Sequence, residues 1–454
     1  MKMNAALAIA ALTAGLVSGA AARAETLADA LTYAYDHSGL LDQNRALLRA
    51  ADEGVAQANA ALMPIINWSL SATKSYVDRL GGDQALTGVL GVSAQLTLYD
   101  NGANNFAIEA QKESVLSTRQ GLLNVEQQVL LAAVQAYVNV TQSRESVALQ
   151  QNNVRVLTQE LRATQDQFDV GEVTRTDVAQ AQAGLAASRS QLAAAQGQLQ
   201  MAIEAFTAAV GRAPGNLQPA PMAPVTSSVD QAKAFAAQNH PQILAAQHSI
   251  RAAELSISRA QAAMKPSLGL SASVQRNDLG QNTDSLSLTL SGPIYQGGLL
   301  DSKVRQLMAN RDAARAGLHV TTNGIVQQVG NAYANLSVAS ASLQASQQRV
   351  DAAQTAFDGV REEARLGSRT TLDVLNAEQT KLDAQASVIT SRANQVAASY
   401  SVLASMGLLT AEHLHLPVQS YDPDAYYNLV KGSPVRISPQ GQALDRVLKA
   451  IGQQ

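Results

Sequence analysis

The sequence predicts a mainly α protein with a β component, built from two structural repeats, each a β-hairpin plus long coiled-coil helices. Three observations carry that prediction. Landmarks recur at a fixed offset: Tyr99, Gly102, Ala136, Tyr137, Asn139, Gly171, Thr174, Asp177, Val178, Ala181 and Gly211 return 196 positions later as Tyr295, Gly298, Ala332, Tyr333, Asn335, Gly367, Thr370, Asp373, Val374, Ala377 and Gly407. A spacing that constant marks a duplicated unit. Within each unit, short stretches alternate apolar and small polar residues with the period of a strand. Long proline-free stretches with a helical period follow them.

In chain order, residues 1–24 read as a signal peptide: Lys2 supplies the positive start, Ala5 to Val17 the apolar stretch and Ala22-Arg23-Ala24 the cleavage site. A disordered tail or an uncleaved anchor is the alternative. Cleavage would leave Glu25 first. No later segment has about 18 consecutive apolar residues, so no transmembrane helix is expected. Repeat 1 spans 25–210. A helix over about 26–62 ends at Ala61-Leu62-Met63-Pro64, because proline forces the chain out of helix. Strands follow at about 65–77 and 86–99. Ile66, Trp68, Leu70 and Ala72 alternate with Asn67, Ser69, Ser71 and Thr73, and Leu90, Val92, Ala94, Leu96 and Leu98 with Gly91, Ser93, Gln95 and Thr97. Asp78 to Asp83, with Gly81-Gly82, is their turn. Helices are expected over about 103–168 and 175–209, separated at Gly171 and stopped by Gly211. At 1.5 Å per residue the first would extend about 100 Å, a length that requires side-by-side packing.

Residues 211–228 hold Pro214, Pro219, Pro221 and Pro224 and read as the inter-repeat linker. Repeat 2 spans 229–407. Its first helix, about 229–264, ends at Ala263-Met264-Lys265-Pro266. Strands at about 267–276 and 285–295 place Leu268, Leu270, Ala272, Val274, Leu286, Leu288 and Leu290 on one face. Their turn runs from Asn277 to Asp284 with Gly280. Helices over about 299–364 and 371–405 are separated at Gly367 and stopped at Gly407. Pro64 and Pro266 are 202 apart, so the second hairpin is six residues shorter, a change that an exposed tip tolerates. Residues 408–454 read as a polar tail, partly ordered against the body and frayed at its end.

Basic and acidic side chains are nearly balanced, 33 against 36, which argues against a nucleic-acid binder. There are no cysteines, hence no disulfide framework and no lipid-bearing cysteine after the signal. Hydrophobic residues make up 46 % but aromatics 4 %; alanine and leucine dominate, which suits closely packed helices more than a bulky core. The repeat predicts one elongated body of two similar halves.

Four amphipathic strands cannot close a membrane barrel, and an open edge in lipid leaves unpaired backbone groups. The chain must therefore contribute to a shared barrel. Three copies would supply twelve strands and place long helices around one axis, enclosing a water-filled passage; another small closed oligomer stays open on this argument.

The chain resembles the TolC family of outer-membrane factors over essentially its whole mature length. The most specific segments are Pro293-Ile294-Tyr295-Gln296-Gly297-Gly298 and Gly367-Ser368-Arg369-Thr370-Thr371-Leu372-Asp373-Val374-Leu375, with Tyr421-Asp422-Pro423 as weaker support. The resemblance implies a homotrimer with a twelve-stranded outer-membrane β-barrel continuous with a periplasmic α-helical barrel, and an equatorial belt formed by the linker and the tail. It implies a Gram-negative outer membrane, a periplasmic adaptor (membrane fusion) protein and an inner-membrane transporter of ABC or RND type. The cargo would be drugs, type I secreted polypeptides, or both.

In that family acidic residues ring the periplasmic mouth. The first ring position matches Asp373; the second matches Asn376, which is neutral, so the ring is expected to be weaker here. Three carboxylates near an axis would raise one another's pKa. Thr370-x-x-Asp373 and Thr174-x-x-Asp177 also fit a capping-box helix start, so both roles stay open for Asp373 and Asp177. Arg369 matches an arginine that holds the closed tip against the first repeat, around Thr176 and Asp177. A tyrosine of the family's other lock matches Ala364. The expected gate has fewer polar links.

No enzyme is indicated. His413-x-His415 lacks further ligands at metal spacing, and there is no phosphate loop or serine elbow. No cofactor is expected. Gly297-Gly298 and Gly81-Gly82 read as turns. Trp68 and Tyr76 would sit at the membrane interface or between protomers, and Tyr137 and Tyr333 in helix packing. The competing class is an exported structural coiled-coil protein without channel activity, which would explain the helices but not the four strands.

Overall fold

The computed structural model describes residues 25–76, 84–226, 228–278 and 280–452. The signal segment and the turn from Asp78 to Asp83 lie outside them, as does the Tyr76 side chain. The chain divides into two compact units. One holds the described residues within 40–125, 233–327 and 419–454, and the other those within 1–39, 126–232 and 328–418.

The first unit contains the sheet: β1 (Ile65–Tyr76), β2 (Gln84–Tyr99), β3 (Ser267–Asn277) and β4 (Asn282–Ser291). All neighbours are antiparallel in the order β1-β2-β3-β4, so the two hairpins join through β2 and β3. Proline marks both strand starts. Before Pro64 and before Pro266 the helix tightens into i−3 hydrogen bonds, as at Met63 N to Ala60 O (3.0 Å) and Lys265 N to Ala262 O (3.0 Å). β4 stops at Ser291, short of the 295 expected. Pro293 has no N–H for the ladder, and a Cβ on Gly292 would lie 2.9 Å from Pro266 Cα.

Two helices expected as single are each broken. The first is α1 (Leu27–Asp36) and α2 (Gly39–Ala60), interrupted where the His37 backbone leaves helix and its ring stacks on Tyr33 at 3.8 Å. The other is α5 (Val229–Asn239) and α6 (Pro241–Ala262). His240 precedes a proline, takes an extended conformation and caps α6 through its ring, accepting from Gln242 N at 3.2 Å.

The remaining helices follow the expected pattern. α3 (Ala103–Asp169) and α7 (Leu299–Arg365) are 67 residues each and contribute to both units. α4 (Arg175–Val210) and α8 (Thr371–Ser405) complete the pairs. At the starts of α3 and α7, Asn101 and Gly102 take left-handed φ of 55° and 83°, and Gly297 and Gly298 take 59° and 82°. Asp100 caps the first start, accepting from Gly102 N (3.0 Å) and Asn104 N (2.8 Å). Gly171 and Gly367 close the far ends at φ 84° and 78°, with matching 6→1 bonds from Glu172 N to Gln167 O and Ser368 N to Glu363 O. The tail forms α9 (Pro423–Val430) and α10 (Pro439–Gly452), which sequence reading did not resolve.

The helical unit has its core around Tyr137 and Phe206, both fully buried. The Tyr137 hydroxyl lies 2.8 Å from Glu25 O and 2.7 Å from Gln218 O, and Tyr333 donates to Thr226 O at 3.0 Å. The repeated tyrosines therefore pin the linker as well as packing.

Candidate functional site

The strand register aligns the alternation of all four strands. Trp68 pairs with Val92 and Val92 with Val274; Leu70 pairs with Leu90, Leu96 with Leu270, and Leu270 with Leu288. One face is thus largely apolar, edge to edge in the row through Ala272 and from β2 to β4 in that through Leu270, with Arg276 and Asp284 opposite Leu90 and Val274 near the β3–β4 turn. Its Ile66, Trp68, Leu70, Leu90, Val92, Val274, Leu286, Leu288 and Leu290 are between 48 % and 75 % exposed. A contiguous apolar face of this size marks a membrane or partner surface. The opposite face is small and polar: Asn67, Ser93, Ser273 and Ser285 form one row, and the Ser273 and Ser285 hydroxyls lie 2.9 Å apart. Trp68 stands within the apolar face rather than beyond its end. β1 and β4 are the open edges of this sheet. No helix among the described residues is long and apolar enough to cross a membrane.

In the helical unit, Thr370 caps α8. Its hydroxyl oxygen accepts from Asp373 N (3.2 Å), while Asp373 Oδ2 accepts from Thr370 N (3.0 Å) and from the Thr370 hydroxyl (2.8 Å). Thr174 and Asp177 repeat the arrangement at 3.3, 2.9 and 2.7 Å at the start of α4. The backbone N–H and hydroxyl of Thr370, with Arg369 nearby, hold the Asp373 carboxyl below the ordinary range. Asp177 is lowered in the same direction, first by the Thr174 hydroxyl. The capping geometry is therefore present in both repeats.

Arg369 does not reach the first repeat through its ion pair within this chain. Its Nε donates to Glu363 Oε2 of its own hairpin at 2.8 Å. Thr176 and Asn376 are exposed, and the Asn376 carbonyl accepts from the Thr380 hydroxyl at 2.9 Å. Asp373, Asn376 and Arg369 thus share one hairpin end, and Thr176 and Asp177 share the equivalent end of the other repeat. Among the described residues no group of three or more His, Cys, Asp or Glu is placed to hold a metal.

Sequence reading missed the charged groups that lie buried in the helices, among them Asp52 and the Glu378–Lys381 pair. Asp52, on the buried stripe of α2 with Leu48 and Val55, is fully buried beside Arg119 of α3 and Tyr421 of the tail. Glu378 and Lys381 form an ion pair inside α8. A carboxylate within an apolar helical stripe was the available signal for Asp52. For Lys381 it was the mismatch with Leu185, its equivalent in the first repeat.

The outer membrane efflux protein family matches residues 31–212 and 235–408, one segment in each repeat. The outer membrane efflux protein BepC of Brucella suis is 36 % identical over 428 residues, covering 92 % of this chain and 93 % of BepC. The alkaline protease secretion protein AprF of Pseudomonas aeruginosa is 25 % identical over 350 residues, covering 71 % of this chain and 72 % of AprF. The crystal structure of the outer membrane protein VceC from Vibrio cholerae superposes with a TM-score of 0.72 at 21 % identity, covering 84 % of this chain and 96 % of VceC.

Proposed function

The chain belongs to the outer membrane efflux protein family, and from that membership we propose that three copies close their four-stranded sheets into one twelve-stranded barrel. It is an outer-membrane protein, and its function is that of an exit duct for exported cargo. The observation that carries the barrel reading is the sheet itself. Its apolar face spans all four strands away from the β3–β4 turn, its other face is serine- and threonine-rich, and β1 and β4 leave backbone groups unpaired. In lipid such edges must be satisfied by other strands, and neighbouring copies supply them. The polar face then lines water.

The duct is passive, with no catalytic role, and draws its energy from a periplasmic adaptor and an inner-membrane transporter of ABC or RND type. Efflux in the name of BepC and protease secretion in that of AprF support drugs and type I secreted polypeptides as the two cargo classes. Conductance of the purified protein in planar bilayers, with a heat-modifiable trimer in the membrane fraction, tests the reading. A shed, non-conducting protein would return it to the structural coiled-coil class. Deleting the gene and assaying drug susceptibility alongside the secreted proteome separates the cargo classes.

The hairpin end carrying Arg369 and Asp373 is the proposed periplasmic gate. With Arg369 committed to Glu363, the gate is held by few polar links to the first repeat. Arg369→Ala should raise conductance and antibiotic leakage; no change in either sinks this assignment.

A further inference from the structure

One ion pair is buried inside the second helical pair. The side chains of Glu378 and Lys381 are 7 % and 13 % exposed, and Lys381 Nζ donates to Glu378 Oε2 at 2.9 Å. The same ammonium lies 3.8 Å from the ring centroid of Phe357 on α7, a cation–π contact with a buried ring. Taking two charges out of water is costly, and a buried pair is often replaceable by apolar side chains without loss of stability. Its best-attested use is to fix one register among several.

The duplication supplies the control. The positions 196 earlier are Gln182, Leu185 and Leu161; Gln182 is exposed and Leu185 buried. The first repeat has a buried leucine where the second has a charge pair on an aromatic ring. α8 also meets α4, where a Cβ on Gly184 would lie 3.9 Å from Leu375 Cδ2. That contact is apolar and open, so it tolerates sliding. The Lys381 contact does not: Glu378 and Lys381 travel together on α8, so a slide carries the buried charge pair off the Phe357 ring and against side chains that do not match it. Arg369, paired with Glu363, restrains the tip itself and is a separate contact from the one Lys381 makes on Phe357.

We propose that Lys381, held by Glu378 against Phe357, is a positioning residue that sets the register of α8 on α7 beside the 367–371 tip, and so the resting conductance of the duct. This rests on the channel reading above. The experiment compares purified full-length protein in planar bilayers as wild type, Lys381→Met, Lys381→Arg, Glu378→Gln and the Glu378→Gln/Lys381→Met double variant, with melting temperatures measured in parallel. Lys381→Met orphans the carboxylate and should raise resting conductance at least threefold. Lys381→Arg keeps the charge and should stay close to wild type. The double variant buries no charge and should return within twofold of wild type. Should Lys381→Met fail to assemble, Glu378→Gln, which strips the ammonium of its carboxylate, carries the test with the same expected rise. Lowered melting temperatures with unchanged conductance would overturn the proposal and leave the pair purely structural. A wild-type protein that does not conduct refutes the channel reading itself, and the proposal with it.

Discussion

Replacing Asp52 by asparagine should tighten the tail at neutral pH and do little in acid. Asp52 is fully buried, and neither carboxylate oxygen has a hydrogen-bond partner. Burial, its largest influence, pushes the pKa from 3.8 to about 6; Arg119 lowers it, and Glu53 and Asp424 raise it. Arg119 cannot fully compensate because Nη1 donates to Asp424 (2.6 Å) and Nη2 to Pro423 O (3.3 Å) of the tail. The sign follows from linkage. A folded-state pKa above the unfolded value means that the native form holds the proton more tightly. The stabilisation is present in full below about pH 4 and is lost as pH rises through about 6. Above that, ionised Asp52 opposes its burial by about 3 kcal/mol, at 1.36 kcal/mol per pKa unit, which is the upper bound on what it takes from docking of the tail. An unsatisfied asparagine amide returns about 1 kcal/mol of that cost. The net gain at pH 7.5 is bounded at about 2 kcal/mol, or about thirtyfold slower amide exchange in the docked segment 421–433. The assay is hydrogen exchange of that segment in both proteins from pH 5 to 7.5. A ratio between variant and wild type that does not change with pH, or faster exchange in the variant at pH 7.5, would refute the reasoning.

Other consequences are equally accessible. Asp373 is held ionised by its cap, so cation selectivity due to it should persist when reconstituted channels are taken to pH 4.5; titration near pH 5–6 would show that repulsion between carboxylates across the pore prevails. Tyr137→Phe removes the hydroxyl that pins Glu25 O and Gln218 O, and should cost about 1–2 kcal/mol in unfolding measurements. Because burial pushes that hydroxyl's pKa to about 12, this difference should be flat between pH 6 and 9. Leu288→Arg on the apolar face should cost about 2–4 kcal/mol at mid-membrane depth, and a wild-type yield of membrane-inserted trimer would place that face elsewhere.

What the sequence alone determined is what local chemistry encodes. The period-two strands, the left-handed positions at Gly171 and Gly367 and the Thr-x-x-Asp starts all depend on residues within a few positions of one another, and the 196-residue offset is legible by comparing the sequence with itself. The structure keeps each of them. The break at His240-Pro241 is equally local, since proline disfavours helix in the residue before it, yet the helix expected over 229–264 ran through it. Tertiary structure decided what joins distant residues. Pairing of β2 with β3 links segments some 180 positions apart, and no strand's own pattern specifies which neighbour it takes. The partner of Arg369 depended on the fold of its hairpin end. The tyrosine hydroxyls found their carbonyls only once the linker was laid across the helices. Asp52 reads as an ordinary helix carboxylate until α3 and the tail close over it; its desolvation is a property of what surrounds it. Even the repeat needed the fold to become informative, because only packing shows that Leu185 and Lys381, equivalent in sequence, hold their helices by different physics.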